Sequence, residues 1–297
     1  MALALKYRLQ DSDKPGFKQL VCVTPFTPIF TKGQPTPQAI AKGTLGGYIA
    51  ATANLSHAGR CWVFEGATLA GTARVTGDAV VIGDAVITEG AVIGGMAIID
   101  CEAIVRGNAR VLEQATVTGN ALIEGSAKIY GNAKIGGWTH VTGDSRVCGD
   151  ALIIGAKNGS DGYGVFIHST DAGTTRIYGA VQISGFADVG GCLSGWEGRQ
   201  EVRVCGLAVL QSEDQDKCVL VKDNARISGC AQLLGEVAAI KNAVIYGSEV
   251  LTEGTISDSS LVTNCPEDES ACEVAPPLPL PDCGGDFSEY VRVNQAP

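Results

Sequence analysis

Between Gly59 and Ile154 the chain divides without a gap into sixteen hexads, the feature that most restricts what it can fold into. They run from GRCWVF, EGATLA, GTARVT and GDAVVI through to GWTHVT, GDSRVC and GDALII. The fifth place is Val, Ile or Leu every time, and the third is Ala except at Cys61, Thr139 and Ser145. Residues two apart share one side of a strand, so the third and fifth places point one way and the fourth and sixth the other. The first two places, often Gly followed by Asp or Asn, tolerate the positive φ that a corner needs. Each hexad is therefore one short edge and one corner.

Three such edges close a triangular coil of three hexads with the aliphatics stacked along its axis, an all-β, single-stranded parallel β-solenoid. The pattern resumes at 173–190, at 200–211 and from Lys217 to Thr252, for 27 hexads or about nine coils. The expected division is an N-terminal cap (1–58), a β-helix (59–264) with excursions at 155–172, 191–199 and 212–216, and a proline-rich tail or strap (265–297). Within the cap, LVCVTPFTPIF (20–30) is expected to form a strand.

Composition fits a buried shaft of small side chains, with 45% hydrophobic residues, 39 glycines and only 6% aromatics. A formal charge of −10 without a run of Lys or Arg argues against nucleic acid as a partner. No stretch of about 18 apolar residues occurs and MALALKYRLQDSDK is too short in apolar residues for a signal peptide, so a cytoplasmic chain away from membranes is expected. Eleven cysteines without a CxxC pair signal neither a disulfide framework nor a zinc knuckle, and free thiols are expected. The three histidines lack metal-site spacing, so no metal is expected, and neither GxSxG nor HExxH is present.

These hexads resemble the repeats of the left-handed β-helix superfamily, best known from acyltransferases that use acyl-CoA or acyl carrier protein. KYRL (6–9), TLGGYIAATANLSHAGRCWVFEGA (44–67) and the following GNA and GDA hexads are similar to the YdcK-type hexapeptide proteins, a family to which acetyltransferase activity is ascribed. The resemblance implies a left-handed coil, acyl-CoA as the cofactor of any enzyme, and active sites between subunits.

Stacking by whole coils sorts the outward fourth places onto three faces. One carries Arg74, Val92, Arg110, Lys128 and Arg146, a basic stripe that could steer a CoA-type ligand or simply be a solvated face. The second carries Val80, Ile98, Thr116, Lys134 and Leu152. The third carries Val86, Ile104 and Leu122, then His140. Its aliphatics, supported by Val80, Ile82 and Ile98, form the expected interface of a homo-oligomer, the alternative being that another segment of the chain folds over them.

A general base suits acyl transfer, and histidine titrates in the right range. His140 is the first candidate, beside Trp138, with Arg146 as a ligand contact. His168 is the second, in the excursion 155–172 with Asp161, Tyr163 and Asp171. The competing readings are a solvent-facing ladder residue for His140 and a distorted coil in which VFIH supplies the strand for His168; His57 reads as a capping residue. Two functions stay open. The residues favour a non-catalytic scaffold or binding module, and the resemblance implies a CoA-dependent acyltransferase.

Overall fold

In the computed structural model the chain is a parallel β-solenoid of about ten turns, with no α-helix among the described residues. The structure describes residues 5–30, 37–158, 162–169, 174–179, 181–185, 187–190, 201–213, 218–223, 225–257 and 261–264. No helix among them is long and apolar enough to cross a membrane. They group into two compact units, one ending at Asn120 and the other beginning at Ala121.

The first unit opens with an antiparallel meander, Tyr7–Asp11, Lys18–Cys22 and Leu45–Ile49, whose last strand pairs in parallel with Thr68–Leu69. Edges then stack one coil apart in three ladders, Thr68–Val86–Ile104, Trp62–Val80–Ile98–Thr116 and Arg74–Val92–Arg110. Ala and the branched fifth-place residues are wholly buried, as at Ala73, Val75, Ala91, Ile93, Ala97 and Ile99. Shape, not ring stacking, packs this shaft, because each rung presents the same small and branched pair to the next.

Corners adopt the left-handed conformation, with Gly77 at φ 68°, and a non-glycine such as Glu89 accepts φ 58° at the same place. The cap seals the first coil with polar contacts. Lys6 is 5% exposed, and its Nζ donates to the carbonyl of Cys61 at 2.8 Å and to its Sγ at 3.1 Å. Tyr7 donates to the carbonyls of Thr52 and Leu55, stacks on His57 at 4.1 Å, and has its phenol pushed up to about 12 by burial. Burial and the nearby Lys6 charge lower the pKa of His57.

One expectation is corrected here. Val80, Ile82 and Ile98 do not extend an exposed patch, because Phe30 packs on them with Ile29 and Phe64. The segment expected as a strand therefore supplies its last aromatic as a cover over the second face. Cysteines also differ in part: among the described residues six carry no disulfide, two of them buried, while Cys230 is disulfide-bonded.

In the second unit three ladders run without interruption. One is Leu122–His140–Phe166–Asp188–Leu220–Ala238. Another is Lys134–Leu152–Gln182–Val209–Gln232–Val250. The third is Lys128–Arg146–Arg176–Arg203–Arg226–Val244–Leu261. Leu152 pairs with Gln182, so that turn is longer than a regular coil by the length of two hexads. Within the segment 155–172, VFIH does form an edge, Val165–His168, and a small antiparallel pair, Lys157–Asn158 with Gly162–Tyr163, leaves the coil before it.

Candidate functional site

The departure of that hairpin is built into the hexad GWTHVT, one of the three without Ala in its third place. Thr139 stands there instead, wholly buried, and its hydroxyl accepts from the Gly155 amide at 2.9 Å and donates to the Gly136 carbonyl at 2.7 Å. Alanine offers neither bond. The Trp138 amide donates to the Gly155 carbonyl, and the returning Gly164 amide donates to the Trp138 carbonyl. Backbone approaches so closely that a Cβ on Gly155 would lie 2.0 Å from the Trp138 oxygen. The chain thus leaves and re-enters beside Trp138, which brings Tyr163 over the face that carries His140.

His140 Nε2 meets Glu124 Oε1 at 2.8 Å. Its ring lies 5.2 Å from that of Tyr163 and 5.4 Å from that of Phe166, and Tyr163 is 6.2 Å from Trp138. Lys157 Nζ sits 4.8 Å from the Trp138 ring centre, a cation over a π face. Phe166 is 37% exposed, so the cluster opens to solvent at that ring. A carboxylate against one ring nitrogen is the arrangement that orients the imidazole of a catalytic histidine, and here Nδ1 is the nitrogen that does not face Glu124.

A second network lies further along the same face. His168 Nε2 contacts Asp188 Oδ1 at 2.8 Å, and Lys222 Nζ donates to Asp188 Oδ2 at 2.5 Å. Burial alone would raise the Asp188 pKa, but hydrogen bonds and charge from His168 and Lys222 outweigh it and hold the carboxyl below its ordinary range. Burial, with Asp188 nearby, raises the Cys218 thiol, which makes it a poor nucleophile.

Of the residues expected at a site, Trp138, His140 and Tyr163 come together, and His168 takes part in its own network with Asp188. Arg146 belongs to the cationic ladder between Lys128 and Arg176, with Asp144 at 3.7 Å. Val86 and Ile104 are neighbours in the first unit, both half-buried, and Leu122 is the rung beside His140, 8% exposed. Asp161 and Asp171 lie outside the described residues, as does the tail 265–297.

Glu124, Phe166, Asp188 and Lys222 were not singled out by sequence. Nor were Arg176, Arg203 and Arg226, which extend the basic stripe to five cations in successive turns. Their signal was present, since GTTRIY, QEVRVC and DNARIS all carry Arg in the fourth place. Among the described residues no cluster of three or more His, Cys, Asp or Glu is arranged to hold a metal ion. No protein-family model matches the chain, and no curated protein matches it.

Proposed function

We propose that the chain is a non-catalytic binding solenoid of the YdcK-like hexapeptide kind, which uses the aromatic cluster around His140 as its ligand contact and self-associates through Val86 and Ile104. The observation that carries this reading is the partly exposed Phe166 ring beside Tyr163 and His140, on a flat face of parallel edges. Aromatic side chains provide large contact area at small entropic cost, and they rarely stand in the open without a partner. Three half-open rings with a lysine and a carboxylate at their edge suit a ligand that has both an apolar face and polar groups.

A second reading rests on the 2.8 Å contact between His140 and Glu124. That pair is a base with an orienting carboxylate, and it supports a CoA-dependent acyltransferase in which His140 Nδ1 takes the acceptor's proton as the acyl group leaves CoA. Such a site would be completed by a second subunit.

Thermal-shift titration with CoA and acetyl-CoA separates the two. The binding reading expects no stabilisation at millimolar nucleotide and an oligomer in light scattering that Ile104→Glu dissociates. Ile104 suits this test because it is half-buried, whereas Leu122 is covered and its replacement would confound association with folding. Stabilisation by CoA that His140→Ala abolishes would establish the enzyme instead. A monomer in solution would remove the self-association.

A further inference from the structure

The ring cluster around His140 also indicates what chemistry its ligand carries, an inference that rests on the binding reading above. Lys157 is exposed, so its ammonium could stay fully hydrated, yet its Nζ lies over the Trp138 ring, 4.8 Å from the centre. Among the described residues no carboxylate forms an ion pair with it. The ring face alone therefore attracts a cation here.

The carboxylates beside the cluster are already engaged. Glu124 meets His140 at 2.8 Å, and Asp188, the rung next to Phe166, holds His168 and Lys222. What the cluster offers an incoming group is ring faces. Trp138 and Tyr163, both half-buried, stand 6.2 Å apart, and the 37% exposed Phe166 meets Tyr163 edge to face at 6.0 Å. A primary ammonium brings three N–H donors that need acceptors, and it is strongly hydrated, so rings suit it poorly. A methylated ammonium has no donors to satisfy, and its charge is spread over methyl groups that pack on aromatic faces. The formal charge of −10 on the chain favours the approach of a cation over that of an anion.

We propose that the Trp138–Tyr163 face is the binding site of a small quaternary ammonium compound, whose cation takes the place over Trp138 that Lys157 now holds. The hairpin, Lys157–Asn158 with Gly162–Tyr163, supplies both the competitor and one wall of the site. Lys157 is tethered, so a ligand must displace a competitor of high effective concentration, and affinity in the wild type is held down accordingly.

Isothermal titration of the full chain with choline chloride tests this, paired at matched ionic strength with the uncharged isostere in which a quaternary carbon replaces the nitrogen. Choline should bind about fivefold or more tighter than the isostere, the margin one cation–π contact supplies. Lys157→Gln should tighten choline by about threefold or more, because the tethered competitor is gone. Trp138→Leu should bring the two probes to equal affinity.

Equal affinities for the wild type overturn the cation site and leave an aromatic binding face standing, whereas the binding reading itself falls to stabilisation by CoA that His140→Ala abolishes. Failure of both probes to bind at millimolar concentration also overturns the proposal. Should Trp138→Leu fail to fold, Lys157→Gln decides, since that side chain is exposed, and an unchanged choline affinity overturns the proposal. Retention of the chain on phosphatidylcholine vesicles without binding of free choline would assign the site to a membrane surface and overturn the small-molecule ligand.

Discussion

At the scale of single residues, the departures from the hexad rule carry the most information. Each of the three third-place exceptions makes a polar contact that alanine cannot. Cys61 receives Lys6, Thr139 holds the start of the hairpin, and the Ser145 hydroxyl donates to the Thr142 carbonyl at 2.7 Å. Thr116 shows the opposite case, since its hydroxyl is buried without a hydrogen-bond partner. A buried, unsatisfied hydroxyl costs about 1–3 kcal/mol, and valine has nearly the same shape. Thr116→Val should therefore stabilise the protein by about 1 kcal/mol, read as a higher denaturant midpoint at unchanged slope. A lower midpoint would mean that the hydroxyl has a partner in solution. His140 was legible because it is the one charged-capable side chain ending an apolar ladder; Glu124 was not, because only the diagonal between adjacent edges brings it to the imidazole.

At the scale of the edges, contacts between neighbouring rungs join side chains that are distant in sequence. Asp188 joins three of them, taking His168 from one edge and Lys222 from another. Its carboxyl is held below the ordinary value of 3.8, so the folded state binds that proton less readily than the unfolded chain does. The resulting stability is present above about pH 3.8 and is lost as pH falls through the folded value. Asp188→Asn should lower stability near neutrality by about 1–2 kcal/mol, a partly exposed network being discounted from the cost of a fully buried one. The same change should flatten the decline below pH 3.8, measured as midpoint against pH; an unchanged acid limb would show that another group drives it. The basic column bears on what sequence could show. From Arg74 to Arg146 each successive fourth place lies one regular coil further on, so the stripe was visible. The steps from Arg146 to Arg176 and from Arg176 to Arg203 are longer and unequal, which hid the continuation. Placed about 4.8 Å apart, two such charges repel by roughly 1 kcal/mol in water.

At the scale of the whole chain, the fold was legible because its period is fixed by geometry at three hexads per turn. Excursions were legible as breaks, but not in how they divide. The segment 155–172 has the length of a coil yet contributes one edge and a hairpin, because VFIH resumes the shaft's pattern where only the strand pairing reveals it. Deleting residues 101–118, one full period, should leave a cooperatively folding β protein with Asp100 joined to Gly119 in register. Deleting 101–106 should be worse, since the inward aliphatics stay inward but every later outward side chain moves to a different face from its partners before the cut, as Thr116 would from Ile98. Circular dichroism and denaturation of the two shortened chains test this, and similar losses would show that the period is not the unit of stability. The extra length of chain between Leu152 and Gln182 has a practical outcome, since the stacked edges on both sides remain paired despite it. That corner is a natural grafting port: a foreign peptide spliced into it would be displayed next to Trp138 and Tyr163 on a stalk that need not change to carry it.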